Sequence, residues 1–117
     1  MHFQKIKKTN LHNKVHSGKV RDIYKLDDDK LLFIATDRIS AYDVIMNEPI
    51  GGKGIILNKL SSFWFDFFKK YNTHFICKGE DFDFSQYADF NNLNNQIISR
   101  STIVKKAKRI DIECVVR

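Results

Sequence analysis

One proline, five glycines and two cysteines are all that this 117-residue sequence holds of those residue types, and nowhere do 18 apolar residues run together. Without such a run there is no helical membrane span, and the opening MHFQKIKKTN has no apolar stretch behind it to act as a secretion signal. Cys77 and Cys114 are far apart and lack any CxxC or Cys/His spacing, which excludes a disulfide framework and a zinc site. They read as reduced, buried small hydrophobes, and the location expected is cytoplasmic. Neither a repeat nor a Pro/Gly-rich linker divides the chain, so its length makes one domain at most.

What is present is ordinary for a folded protein: 43% hydrophobic and 29% charged residues, which argues against disorder. The net charge of +6 is concentrated at the two ends. Residues 1–25 carry seven Lys or Arg against one acid, and residues 100–117 carry six against two. Such ends suit an anionic partner, either a phosphorylated small molecule or nucleic acid, although on charge alone a plain solvated surface is the better explanation than either.

Two β-rich runs, KVRDIYKL at 19–26 and KLLFIAT at 30–36, flank DDD and predict a β-hairpin. VIM after Asp43 predicts a third strand, and NEPIGGKG predicts a loop. From about 54 to 71, Ile56, Leu57, Leu60, Phe63, Trp64, Phe67, Phe68 and Tyr71 recur at spacings of one, three and four. That periodicity predicts an amphipathic helix whose aromatic face packs on the sheet, with Asn58, Lys59, Ser61, Ser62, Asp66, Lys69 and Lys70 facing water. HFIC at 74–77 reads as a short strand, and 79–97 is polar and Asn-rich with no readable element. STIVKKAKRI and DIECVVR read as a further hairpin, so that the last strand runs to the chain end in the manner of a truncated domain. The class expected is α+β, a twisted antiparallel sheet with an amphipathic helix on one face.

Three stretches invite chemistry. In HSGKVRDIY, Gly18 lets the backbone approach an anion, and Lys19 and Arg21 alternate with Val20, so both charges would face one side of a strand. It is not a Walker A loop, because Asn13 stands where the first glycine belongs and Val20 replaces the Ser or Thr after the lysine. A lysine on a strand beneath a glycine turn is instead the kinase arrangement. GGKG at 51–54 precedes the helix, whose first amides would attract an anion beside Lys53. TDRISAYD at 36–43 places an arginine and two aspartates where a strand should simply end, which demands a ligand or an internal ion pair. His16, His74, Asp111 and Glu113 have no spacing that links them into a catalytic group and read as structural.

Read together, GKVRDIY, LLFIATDRISAYDVIM, KGIILNKLSSFWFDF and ECVVR resemble, in order and spacing, the N-terminal half of the phosphoribosylaminoimidazole-succinocarboxamide synthase (SAICAR synthetase) family. The resemblance runs from about residue 15 to the end, with a less distinctive stretch at 79–98. It implies an ATP- and magnesium-dependent C–N ligase of purine biosynthesis. In that family ATP activates the carboxylate of phosphoribosyl-carboxyaminoimidazole, most simply as an acyl phosphate, and the amine of aspartate displaces phosphate.

Carried over by position, the resemblance implies ATP binding by Ser17, Gly18, Lys19, Val20 and Arg21. Apolar groups on the strand that continues through Tyr24 and Leu26 would form the adenine slot. Asp37, Arg38, Ser40 and Asp43 would line the substrate side of the cleft, Lys53 would add a basic substrate-binding position, and Arg117 would serve the phosphoribosyl substrate. The whole chain, 1–117, would be the nucleotide-binding lobe, similar to a kinase small lobe. The family's C-terminal domain, which carries the magnesium ligands, would be absent, so the catalytic residues are not assigned and the chain alone is expected to be inactive. Small-molecule substrates are the partners expected, with no nucleic acid and no membrane, and a homo-oligomer is allowed. The competing readings are a small basic nucleic-acid-binding module and a non-catalytic remnant. The module fails to explain why the aromatics gather with leucines on one helical face instead of interleaving with Lys and Arg.

Overall fold

A computed structural model describes residues 4–117. Five strands form one antiparallel sheet in the order β1-β2-β3-β7-β6. They are β1 (Lys14–Ser17), β2 (Arg21–Lys25), β3 (Lys30–Ala35), β6 (Phe75–Lys78) and β7 (Ser101–Lys105). The β2–β3 hairpin is the one expected. Its DDD turn closes when Asp27 Oδ1 accepts the Asp29 amide at 2.8 Å, the local side-chain bond that makes aspartate a turn residue. β3 and β7 then pair in the middle of the sheet although some 65 residues separate Ala35 from Arg100, whose carbonyl accepts the Ala35 amide at 2.9 Å.

Alternation sorts the strands into two faces. Tyr24, Leu32, Ile34 and Ile103 are fully buried on one of them, closed by Phe84 and Phe90. Both rings come from the 79–97 stretch that showed no readable element. It folds as two short 3₁₀ turns, Gly79–Asp81 and Phe84–Gln86, and a single helical turn, α2 (Asn95–Ile98), too short for a periodic signal. Burial of Tyr24 in this core also removes it from any adenine slot, since its hydroxyl is engaged by Thr9 at 2.7 Å.

The long helix α1 (Lys53–Phe67) covers the other face, but with the side opposite to the one expected. Gly54, Ile55 and Asn58 are buried against the sheet, whereas all eight apolar residues of the predicted packing face are between 44% and 63% exposed. The reason is how closely the helix approaches. A Cβ on Gly54 would lie 2.1 Å from the Ala35 carbonyl oxygen, so only glycine lets the first turn sit on β3. Farther along, the Asn58 amide donates to the Ser101 carbonyl at 3.0 Å, and the Thr102 hydroxyl bonds its oxygen at 2.5 Å. Small and hydrogen-bonding residues form the seam, Phe65 stacks on Phe75 beside it, and the other rings are turned outward.

Two further expectations are corrected. VIM does not join the main sheet: Val44–Ile45 (β5) pairs with Ser40–Ala41 (β4) as a separate ribbon. The turn of this ribbon places Tyr42 and Asp43 at φ 50° and 64°, the left-handed pair a two-residue hairpin requires. DIECVVR forms no strand either; residues 106–117 are exposed and irregular, and Cys114 is exposed rather than buried. The β7 partner that a hairpin would need is already supplied by β6.

Candidate anion-binding site

TDRISAYD resolves first, because its charges are answered inside the molecule. Asp37 is wholly buried and accepts from the Ile6 amide at 2.9 Å, the Gly54 amide at 2.9 Å and Arg100 Nη1 at 2.8 Å. The anion at the N-terminus of α1 is therefore the protein's own carboxylate, and GGKG is not an open anion site at Gly54. Burial alone would raise the Asp37 pKa, but Arg100 and the two amides outweigh it and hold the carboxyl below its ordinary value.

Arg38 is just as fully engaged, and its partners reveal its role. Its guanidinium donates to the carbonyls of Gly18 at 2.9 Å, Lys19 at 3.0 Å and Lys7 at 2.8 Å, and to Asp22 Oδ1 at 3.1 Å. Thr36 adds the next carbonyl along the turn, bonding Val20 O through its hydroxyl at 2.6 Å. Peptide planes are rigid and trans, so a carbonyl turned inward sends the following N–H outward. With Gly18 and Lys19 carbonyls pinned to Arg38, the amides of Lys19 and Val20 point away from the protein body. Neither has an acceptor among the described residues. Arg38 thus positions the glycine turn and is not free to meet a substrate.

The residue that holds Arg38 was not singled out from the sequence. Asp22 is completely buried and accepts the Thr9 amide at 2.9 Å, the Thr9 hydroxyl at 2.6 Å and the Ser17 hydroxyl at 2.7 Å in addition to Arg38. Burial works against its charge, yet these four donors bring its pKa down to about 2. Ser17 is consequently committed to Asp22. The available signal was its register: Asp22 falls on the same side of β2 as Tyr24, so an acid occupies a core position.

Between α1 and the sheet lies a cavity of about 410 Å³, lined among others by Val20, Arg21, Phe33, Lys53, Phe65 and His74. It joins one end of the glycine turn to the first residue of α1, two segments more than 30 residues apart in the chain. Arg21 lies over the Phe33 ring, 5.2 Å from its centroid, and among the described residues neither Arg21 nor Lys53 has a carboxylate partner. His74 stands between the rings of Phe33 and Phe65, with centroids 6.0 and 5.8 Å away. Burial and the nearby Arg21 charge push its pKa down. A cavity with apolar walls, two unpaired cations and no acid among its lining residues is built to receive an anion carrying a flat or apolar group.

The other expected residues sit around this cavity or apart from it. Lys19 belongs to the turn and not to β2, so it does not share a strand face with Arg21; its ammonium instead pairs with Asp43 from the ribbon turn. That pair holds the Asp43 carboxyl below its ordinary range. Ser40 is half-buried in β4. Arg117 is exposed at the end of the irregular run, and no hydrogen bond or ion pair joins it to the site residues.

A family model of SAICAR synthetase matches residues 14–117. The chain belongs to the SAICAR synthetase family. It is 50% identical over 100 residues to the phosphoribosylaminoimidazole-succinocarboxamide synthase of Maridesulfovibrio salexigens, covering 86% of this chain and 33% of the relative. Identity to the Candida maltosa synthase is 53% over 103 residues, 88% of this chain and 34% of that protein. The chain thus spans about a third of the length of these relatives. The fold agrees: the Saccharomyces cerevisiae SAICAR-synthase complexed with SAICAR superposes with a TM-score of 0.74 at 42% identity, covering 89% of this chain and 38% of that one. A type-2 SAICAR synthetase in complex with ADP superposes at 0.56 and 27% identity, over 78% of this chain and 32% of its own. Common SAICAR synthetase architecture therefore includes the α+β sheet that carries the glycine turn here. No helix among the described residues is long and apolar enough to cross a membrane.

Proposed function

We propose that this chain is the nucleotide-binding lobe of an ATP-dependent C–N ligase of purine biosynthesis, the reaction joining aspartate to phosphoribosyl-carboxyaminoimidazole, and that it acts in the cytoplasm. The observation that carries this reading is the glycine turn, whose Lys19 and Val20 amides face outward beside the unpaired Arg21 and Lys53. Polyphosphate oxygens satisfy such amides and cations together, and Phe33 and the other apolar walls suit a nucleobase or the sugar edge. The ADP complex of a relative supports the same ligand class.

Ligation needs a carboxylate made electrophilic and an amine held beside it, with several anions brought together against their mutual repulsion. Arg21, Lys53 and the two turn amides provide that compensation on one wall only. Magnesium, when bound, would offset phosphate charge. Among the described residues no three His, Cys, Asp or Glu side chains gather in one place, and none is assigned to hold it.

Titration calorimetry with ATP and ADP tests the reading. Binding is expected, lost with Arg21→Ala, while the purified chain forms no succinocarboxamide. Turnover at an enzyme-like rate would overturn the one-wall account. Salt-sensitive oligonucleotide binding without ATP binding would overturn the nucleotide reading itself.

A further inference from the structure

Residues 4–11 form neither helix nor strand, yet Ile6 and Thr9 are buried while Lys5, Lys7 and Lys8 are exposed. An irregular segment has no ladder of its own, so its buried backbone groups must be answered from elsewhere. Here they are answered by the charges beneath the candidate site. The Ile6 carbonyl accepts the Asp37 amide at 2.7 Å, and the Ile6 amide donates to Asp37 Oδ2 at 2.9 Å. Thr9 gives its amide and its hydroxyl to Asp22 Oδ2 at 2.9 and 2.6 Å. Between these two anchors the Lys7 carbonyl accepts from Arg38 Nη1 at 2.8 Å, and the Lys7 ammonium reaches the Asn47 carbonyl at 2.9 Å.

Each carboxylate is shared, one oxygen to this arm and one to the body. Oδ1 of Asp22 takes Ser17 and Arg38, and Oδ1 of Asp37 takes Gly54 and Arg100. Both Oδ2 atoms are served by the arm. Among the described residues the one other group near them is the Lys14 ammonium, 3.7 Å from Asp22 Oδ2, and it is itself bonded to the Thr9 carbonyl. With the arm away, each buried carboxylate would lose the donors on one oxygen and Arg38 would lose the acceptor on Nη1, a costly state for buried charges. That guanidinium is the one whose Nε and Nη2 hold the Lys19 and Gly18 carbonyls, and Asp37 Oδ1 holds the Gly54 amide next to Lys53. The arm thus braces both segments that face the cavity, the glycine turn and the start of α1, without lining the cavity itself.

We propose that residues 5–11 are a strap whose docking on Asp22, Arg38 and Asp37 holds the glycine turn in its phosphate-binding form, with Ile6 and Thr9 as positioning residues. Docking of the strap and binding of a nucleoside triphosphate then favour each other, an inference that rests on the nucleotide reading above. Such coupling is reciprocal: the factor by which the docked strap strengthens ATP binding is the factor by which ATP favours the docked strap. No contact between strap and ligand is needed, because one guanidinium grips the strap and the turn at once.

Calorimetry on Thr9→Val, which removes the hydroxyl at nearly constant volume, should show ATP binding weakened about tenfold. Thr9→Ser, which restores the hydroxyl, should bind close to the parent. Lys5, Lys7 and Lys8 also offer trypsin three exposed sites on the strap. Cleavage there should slow about tenfold in saturating ATP, while cleavage after Lys108 in the exposed irregular run stays unchanged. Cleavage after Lys30, at the start of β3, marks global unfolding and separates it from release of the strap. This comparison uses the parent chain and so decides the point even where Thr9→Val fails to fold. A folded Thr9→Val with a lower urea midpoint but the parent's ATP affinity would reduce Thr9 to packing and overturn the inference. So would a Thr9→Ser that does not recover binding, or strap cleavage that ATP leaves unchanged. Any of these in a parent that binds ATP removes the strap alone; a parent that binds no ATP removes the nucleotide reading and the strap with it.

Discussion

The buried charges beneath the glycine turn and at the start of α1 differ from the outer face of α1 in burial in the direction opposite to their chemistry. Asp22, Asp37 and Arg100 are completely buried, while Phe63, Trp64 and Phe67 are about half exposed. Hydrophobicity alone would exchange them. What separates them is satisfaction and fit. Each buried carboxylate collects at least three donors at 3.1 Å or closer, so its desolvation is matched. The rings have no such claim on the sheet, because α1 meets β3 through Gly54 and β7 through Asn58, on the side of the helix opposite to theirs. Arg100 Nη2, which finds no acceptor, marks where the buried network is least complete.

The most severe way to break this difference is to change the seam. Gly54→Val places side-chain atoms against the Ala35 carbonyl, where even a Cβ would stand at 2.1 Å, and removes the Gly54 amide from Asp37. A loss of about 3 kcal/mol or more is expected, read as a fall in the urea midpoint or failure to fold. Next comes the pair itself: Arg100→Leu leaves Asp37 buried with its strongest donor gone. That should cost about 3 kcal/mol or more, whereas Lys59→Ala on the open face should leave the midpoint close to the parent.

Acid sharpens the comparison without mutation. Asp22 has a folded pKa of about 2 against an ordinary 3.8, so the folded state favours its charged form. The stabilisation is therefore complete above about pH 4 and is lost as pH falls toward about 2, because there the unfolded chain binds the extra proton. A shift of this size corresponds to about 2 kcal/mol, visible as a declining urea midpoint across that window and a shallower decline in Asp22→Asn.

These results also define what could be read in advance. The β2–β3 hairpin, the existence of α1 and the strand at 75–78 were legible because local patterns decide them: a triple-aspartate turn, helical periodicity, a short apolar run. The side of α1 that meets the sheet was not legible, because it depends on how near Gly54 comes to Ala35, a contact between segments far apart in the chain. At 79–97 the anchors Phe84 and Phe90 sit in turns without a period, so the closing of the core left no pattern to see. In TDRISAYD the need for partners was evident. That Asp37 would satisfy the helix and Arg38 the turn required the fold.

The smallest effect on stability is expected at the Lys19–Asp43 pair beside the glycine turn. Lys19 and Asp43 are both largely exposed, so screening by water and salt removes most of what the contact contributes. Asp43→Asn should leave the urea midpoint unchanged within error. Its effect should appear in binding instead. In the unliganded chain Asp43 competes for the Lys19 ammonium at the lip of the glycine turn, and a polyphosphate must displace it. Asp43→Asn should therefore tighten ATP binding measured by calorimetry, with a weaker dependence on salt than a simple gain of positive charge would give. Lys19→Ala should loosen binding in the same assay. If Asp43→Asn instead weakens ATP binding, the carboxylate holds the lysine in position for the phosphates, and the exposed pair belongs with the buried ones as part of the turn's support.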